Sequence, residues 1–439
     1  VVLERCNRVL TEEGERELDD GLRNQLMEKN EEYTNDALRV LALAYRSDFE
    51  SHDADYIESD MVFLGFVAMR DPPRQGVRET LESCRDAGIG VKMVTGDNPT
   101  TARAIAERIG LTENPDVLTG ADMKELEGEE LAERIRDTDI FARTMPEDKY
   151  TIVDSLQKDG EAVAMTGDGV NDAPAVKKAD IGVGMGMKGT DVTKEASDIV
   201  LQDDRFETLV TAIKEGRRIF DNIEKFTTYL ISGNFTEVIL IALGILFLGF
   251  EYLPLIAIQI LFLNVIGEEF PAISLGMDPA EEGIMERPPR ATEVGILHRR
   301  NVFFTVSMAV FMALLGFLIF VAIDPSKNLD LARTVVFTAD TMMIIVHAFN
   351  FLSLEKTLNR INPFRNVWML LSTGFTMLLL VLTVHLPAVS NLFSHVSIGW
   401  KYWGLAVLAS FATVLFIEFL KKYVEVYMDT SYMWKKSNS

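Results

Sequence analysis

Cysteine occurs only twice in these 439 residues, as Cys6 and Cys84. Two thiols this far apart exclude a disulfide scaffold and any Cys-x-x-Cys metal-transfer motif. Positive charge is also scarce: 43 Lys and Arg stand against 66 Asp and Glu, a formal net charge of −23. That argues against a nucleic-acid partner, because little is left to neutralise phosphates in bulk. The deficit is uneven. Residues 1–225 hold 50 acidic and 29 basic residues, whereas residues 226–439 hold 16 and 14. The first half is acidic and free of long apolar runs; the second is apolar and nearly neutral. The mean hydropathy of the whole, +0.12, hides this division. The chain is therefore neither a purely cytosolic enzyme nor a purely membrane-embedded protein. Its length allows two or three domains. It starts at Val1 with no signal peptide, and the expectation is a chain that begins inside a longer protein.

Residues 1–60 are polar and Glu-rich, with one amphipathic stretch at 35–45 that reads as a helix or a strand. The prolines of Asp71-Pro72-Pro73-Arg74 interrupt any regular element. A Rossmann-like rhythm follows. A helical pattern over 75–87 leads to an apolar run at 90–94 that ends in Thr95-Gly96-Asp97. A second helix is predicted over 100–109. Another apolar run at 161–165 ends in Thr166-Gly167-Asp168, and a third covers 181–185. Strands and helices alternating at this spacing predict one parallel sheet with helices on both faces.

The back half carries six apolar segments, at 226–249, 254–276, 302–323, 331–353, 365–386 and 399–420. Each is long enough to cross a hydrocarbon core of about 30 Å as a helix. Alternate connectors are basic. Arg287, Arg290, Arg299 and Arg300 fall in one, Lys356, Arg360 and Arg365 in another, and Lys421, Lys422, Lys435 and Lys436 follow the last span. The opposite connectors carry chiefly Lys327. The positive-inside rule then places the acidic half, both basic loops and the C-terminus in the cytoplasm of a multi-pass protein, with the plasma membrane as the expected location. Trp368, Trp400, Tyr402 and Trp403 lie near span ends, as interfacial aromatics do.

Two strand ends finish in Thr-Gly-Asp, and ligands of parallel sheets bind at such carboxyl ends. A strand-to-helix turn with an Asp cap would read the same way. The second end is richer: Asp168, Asn171 and Asp172 place three hard-oxygen side chains within five residues. That cluster suits Mg²⁺, which takes a few carboxylates together with phosphate and water. Inside the first two spans, Asn234 and Glu237 are one turn apart, as are Asn264 and Glu268. An intramembrane carboxylate is costly, and two carboxylates with two amides make a hard-cation set. The competing reading is an interhelical hydrogen-bonded network with a protonated Glu. Pro271 predicts an unwound helix that frees backbone carbonyls. Asp340 is a further candidate ligand, and Glu269 a satellite group.

The run MTGDGVNDAPAVKKADIGVGMG, with MVTGDN and DPPR upstream, resembles the P-type cation-transporting ATPases. The segments ISGNFTEV and GMDPAEEGIMERPPR are most similar to the calcium-pump branch. The resemblance covers essentially the whole chain. It implies a haloacid-dehalogenase-like (Rossmann-like) α/β cytoplasmic domain followed by an all-α membrane domain of six helices. Residues 1–70 would be the end of the nucleotide-binding domain, 71–222 the second part of the phosphorylation domain, and 223–439 the membrane domain.

By the same resemblance, Asp168 would hold Mg²⁺, with Asn171 and Asp172 supporting the phosphoryl site. Lys149, in RTMPEDK, would pair with the phosphoryl group in transit. Thr95 and Gly96 would contact that phosphate, and Arg39, Asp97 and Arg143 would lie near ATP. The family's DKTGT nucleophile motif and its TGES motif do not occur in this sequence. The expectation is therefore a C-terminal portion, inactive by itself, whose partner is the N-terminal part of the pump. Calcium pumps that carry two ions have Thr-Asp where this chain has Gly267-Glu268, and a Glu where it has Ile344. Both losses fall mostly on one ion site. Ca²⁺ is the favoured cargo. The alternatives are a Na⁺ or H⁺ pump of the same family, or a non-catalytic membrane regulator.

Overall fold

The computed structural model describes residues 2–35, 38–47, 58–69 and 74–434. The predicted break at Pro72-Pro73 and the tail lysines Lys435 and Lys436 lie outside those residues. The chain divides into two compact units, Val1–Thr211 and Ala212–Ser439.

The first unit opens with a four-stranded sheet. β1 (Cys6–Thr11) pairs antiparallel with β2 (Gly14–Glu17) and parallel with β4 (Met61–Met69), and β4 pairs antiparallel with β3 (Arg39–Tyr45). α1 (Asp20–Asn35) lies between β2 and β3 in sequence. Leu3, Cys6, Val9, Leu18 and Phe63 form its small core. Within the amphipathic stretch at 35–45, Arg39–Tyr45 is a strand.

The rest of the unit alternates as expected: α2 (Val77–Asp86), β5 (Met93–Val94), α3 (Pro99–Ile109), β6 (Val117–Thr119), α4 (Gly120–Glu125), α5 (Gly128–Asp137), β7 (Ile140–Ala142), α6 (Pro146–Lys158), β8 (Ala164–Gly167), α7 (Ala173–Lys178), β9 (Ile181–Met185), α8 (Asp191–Ala196) and β10 (Ile199–Leu201). Local chemistry sets the boundaries. The Asn98 side chain caps α3 by accepting from the Thr101 N–H, Pro99 occupies its first turn, and Gly110 ends it at φ 69°. The strands are parallel, but they do not form the single sheet that the rhythm predicts. Among the described residues they make two three-stranded sheets, ordered β5-β7-β6 and β10-β9-β8. Spacing along the chain reports strands and helices, and it does not report which strands are neighbours. β7 is buried on both faces, with Ile140, Phe141 and Ala142 all inaccessible. β5 and β8, the two strands that end in Thr-Gly-Asp, are both edge strands.

Six helices of the described chain are long and apolar enough to cross a membrane. They are α9 (Phe206–Leu248), α10 (Ala257–Gly276), α11 (Arg299–Ile323), α12 (Leu329–His347, extended to Leu352 by a 3₁₀ turn), α13 (Val367–His385) and α14 (Trp400–Tyr427). α9 begins 20 residues before its predicted span, because the amphipathic run 206–225 continues as helix. At 1.5 Å per residue its 43 residues extend about 65 Å. α12 is the centre of the second unit, and every residue from Thr334 to Ile345 is buried.

Candidate functional site

The Thr95-Gly96-Asp97 turn leaves β5 and is tied to the loop ahead of α6. The Thr95 N–H donates to the Phe141 carbonyl (2.9 Å), and the Thr95 carbonyl accepts from the Thr144 N–H (3.1 Å) and hydroxyl (3.0 Å). The Asp97 N–H donates to the Thr95 hydroxyl (3.1 Å), and the Arg143 N–H donates to the Asp97 carbonyl (2.9 Å). Arg143 holds φ at 49°, the left-handed region that side chains rarely adopt. Thr95, Asp97 and Arg143 therefore form one cluster. A Cβ on Gly96 would meet nothing within 4 Å, so the glycine keeps open space at the strand end. Arg39 is placed on β3, and its side chain is outside the described atoms.

From the same loop, α6 starts at Pro146, with the Asp148 carboxylate accepting from the Met145 N–H (2.8 Å). Its first turn carries Lys149, which donates to Asp172 Oδ1 at 2.6 Å. Asp172 Oδ2 accepts from the backbone N–H groups of Asp168 (3.2 Å) and Gly169 (3.1 Å). Burial opposes a charge on Asp172, but the Lys149 ammonium and the two N–H donors outweigh it and hold the carboxyl below its usual range. Both Asp172 oxygens are thus committed inside the protein. Asp168 and Asn171 are solvent-exposed, which leaves their oxygens accessible to a cation. A carboxylate, an amide, phosphate and water suit Mg²⁺. The loop itself is braced from α8. The buried Thr193 hydroxyl donates to the Gly169 carbonyl (2.9 Å), and the Thr190 N–H to the Asp168 carbonyl (3.0 Å). Gly167 makes room: a Cβ there would come within 2.4 Å of Asp172 Cβ.

In the second unit the two amide–carboxylate pairs cross between helices. Asn234 Nδ2 on α9 donates to Glu268 Oε2 on α10 (3.0 Å), and Asn264 Nδ2 on α10 donates to Glu237 Oε2 on α9 (2.9 Å). Each amide NH₂ also donates one turn back, to the Leu230 and Ile260 carbonyls (2.8 and 2.9 Å). With both N–H groups spent, the amide oxygens remain as acceptors. Glu237 Oε1, Glu268 Oε1 and both Asp340 oxygens are buried with no hydrogen-bond partner among the described residues. No three Asp, Glu, His or Cys side chains among the described residues are grouped closely enough to hold a metal by themselves. A cation here would need the amide oxygens and backbone carbonyls as well.

The helix at this point is not unwound as Pro271 predicts. It widens into a π-helical turn over Leu263–Glu268 and continues through Pro271. Pro271 has no N–H for the Gly267 carbonyl four residues back, and the wider turn absorbs that mismatch. Opposite it on α9, Gly233 allows the close approach: a Cβ there would lie 1.9 Å from Glu268 Oε1.

A family model described as haloacid dehalogenase-like hydrolase matches residues 3–180, and one described as cation transporting ATPase, C-terminus, matches residues 252–423. The chain is 36% identical over 440 residues to calcium-transporting ATPase 1 of Bacillus cereus, covering 96% of this chain and 49% of the relative. It is 40% identical over 377 residues to the calcium-transporting ATPase of Bacillus subtilis, covering 84% and 42%. It is 34% identical over 494 residues to the endoplasmic reticulum-type calcium-transporting ATPase 2 of Arabidopsis thaliana, covering 92% and 46%. The chain belongs to the P-type cation-transporting ATPases. It spans about half the length of the curated relatives it matches.

In this P-type ATPase chain the sequence reading missed Thr190, Thr193 and Gly233, because their partners are distant in sequence. It also missed a buried ionic hub at one end of the spans. Glu224 on α9 accepts from Arg290 (3.0 and 3.2 Å) and Asn301 (2.6 Å), with His298 Nε2 at 3.1 Å. Burial pushes the His298 imidazole down to about 4, so it is neutral at pH 7. Beside it Lys225 pairs with Asp278 (3.1 Å) and Glu281 (3.0 Å). Arg287 and Arg290 thus fasten the 278–301 loop to α9 through Asp221 and Glu224.

Proposed function

We propose that this chain is the C-terminal part of an ATP-driven P-type pump that exports Ca²⁺ from the cytoplasm through a phosphoenzyme cycle. The observation that carries the reading is the pair of crossed Asn–Glu contacts between α9 and α10, with unpartnered carboxylate oxygens deep in the membrane unit. The calcium-transporting names of the relatives favour Ca²⁺ over Na⁺ or H⁺. Residues 1–70 are read as the end of the nucleotide-binding domain, 71–222 as the second part of the phosphorylation domain, and 223–439 as the membrane domain. The acidic half, the basic loops and the C-terminus are cytoplasmic, and the membrane is the plasma membrane.

In this reading Asp168, aided by Asn171, would hold Mg²⁺, which neutralises phosphate charge when bound. Thr95 and Gly96 contact the phosphoryl group in transit through a hydroxyl and backbone N–H groups. Lys149 sits where its ammonium can exchange Asp172 for a phosphoryl oxygen, which is charge stabilisation at the point of transfer. Arg39, Asp97 and Arg143 lie towards the nucleotide. The acceptor carboxylate is supplied by a DKTGT segment outside these residues, and the outward edges of β5 and β8 are where such a strand would pair.

The test is phosphorylation from labelled ATP. The chain alone should form no acid-stable, hydroxylamine-sensitive phosphoenzyme, and the complete pump should form one that depends on Ca²⁺. In the complete pump, Glu237→Gln and Glu268→Gln should each lower the apparent Ca²⁺ affinity by about tenfold or more, the loss expected for a direct charged ligand. Near-normal affinity in both variants would end the proposal for this site. A response to Na⁺ or to acid with none to Ca²⁺ would reassign the cargo.

A further inference from the structure

A cavity of about 270 Å³ opens in the second unit where two helices pass from polar to apolar together. α9, which lines the cavity up to Glu224, turns apolar after Lys225, and α11, which lines it with Arg300, starts with Arg299-Arg300. The cavity, which spans these transitions, lies at headgroup depth in a membrane that the six helices cross. Four guanidinium groups and three carboxylates line it. The carboxylates are already engaged: Asp221 with Arg287 (2.5 Å), Glu224 with Arg290 (3.0 Å) and Glu355 with Arg300 (2.9 Å). The Arg290 Nε–H is buried with no acceptor among the described residues.

The remaining wall is mostly apolar, with Phe220 and Trp434 its aromatic faces. The Arg290 guanidinium lies 4.7 Å from the Phe220 ring centre, and that of Arg287 lies 5.4 Å from Trp434. Stacking of this kind fixes guanidinium planes: Arg290 gives both terminal nitrogens to Glu224, whereas Arg287 gives one to Asp221 and keeps its other N–H groups for an oxyanion. We propose that this cavity binds the phosphate-bearing headgroup of an anionic lipid, with the phosphate at Arg287 and Arg290 and the acyl chains leaving along the apolar wall. Three features select that ligand. Guanidinium forks match phosphate oxygens. The volume is below the roughly 300–1,000 Å³ usual for small-molecule sites, so a headgroup fits and a whole nucleotide does not. The site also opens where lipid headgroups lie.

Thermal unfolding of the full chain in a neutral detergent tests this, with dioctanoyl phosphatidylglycerol, dioctanoyl phosphatidylcholine and inorganic phosphate added in turn. Phosphatidylglycerol should stabilise the chain saturably, the other two much less. Ala291→Phe fills the cavity without touching an ion pair, and Arg287→Gln removes one fork. Each should raise the concentration needed for half-maximal stabilisation about tenfold, the loss expected for one charge-assisted contact. Ala291→Phe decides the outcome if Arg287→Gln does not fold. An unchanged response in Ala291→Phe, or equal stabilisation by phosphatidylcholine, overturns the proposal. Equal stabilisation by inorganic phosphate overturns the lipid as occupant. None of these measurements depends on ATP or a transported ion, so their failure is separate from failure of the pump reading.

Discussion

Asp168, Asn171 and Asp172 were legible as a group, because hard-oxygen side chains crowd one strand end, and Lys149 joined them only through the resemblance of RTMPEDK to the family. Their division of labour was not legible, because it depends on a contact between residues 23 apart. Lys149 and Asp172 neutralise each other inside the protein, and Asp168 and Asn171 face solvent. This division has a measurable consequence. Lys149→Met leaves Asp172 buried beside an apolar side chain and should cost about 3 kcal/mol at neutral pH. The pH sign follows from the depressed carboxyl. Its stabilisation is complete above the ordinary value of 3.8 and is lost as pH falls through the lower folded value. In the variant the carboxyl loses its cation and protonates more readily, which relieves the penalty in acid. Thermal unfolding of both proteins across that range should show a gap that is widest at neutral pH and narrows in acid. A gap that does not change with pH would mean that the pair does not govern stability.

Elements were read well where periodicity is strong. The third apolar run coincides with β9, and α2 and α3 fall within two residues of the expected limits. Two things escaped. Periodicity gives no neighbours, so the split into two sheets was invisible. It also gives no helix type, so a π-helical turn reads like any other apolar stretch. That turn matters because it sets where Asn264 and Glu268 project, and Gly233 lets α9 approach them. Gly233→Ala should help α9 as an isolated helix, since alanine is favoured over glycine by about 1 kcal/mol. Its methyl group would nonetheless sit 1.9 Å from Glu268 Oε1 and must displace that carboxylate. The expected result is a well-folded protein whose apparent ion affinity in the complete pump falls about tenfold, as for loss of one charged contact. Unchanged affinity with a normal far-ultraviolet spectrum would show that Glu268 does not need this position.

Across the molecule, one acidic unit carries the phosphoryl-type residues and one apolar unit carries the buried carboxylates, so on the proposed pump reading the number of ions moved per ATP depends on the ligands of the second unit and of the rest of the pump. Counting ligands gives an expectation. Ca²⁺ takes roughly six to eight oxygens. Glu237 and Glu268 have one unpartnered oxygen each, and the amide oxygens of Asn234 and Asn264 are free of their own N–H bonds. Backbone carbonyls near the π-helical turn, and ligands from the rest of the pump, can complete one shell. A second shell has little to draw on. A Cβ on Gly267 would lie in ordinary contact with Leu263 (3.7 Å), but the glycine brings no side-chain oxygen, and Ile344 has none either. Asp340 is the exception, buried with neither oxygen partnered among the described residues. We therefore expect one ion per ATP, measured as ion uptake and ATP hydrolysis in the same vesicles holding the complete pump. Asp340→Asn should then leave the ratio at one and change affinity less than Glu237→Gln or Glu268→Gln does. A ratio near two that falls to one in Asp340→Asn would reverse this conclusion and make Asp340 the anchor of a second site, one helical turn before the position where Ile344 supplies no ligand.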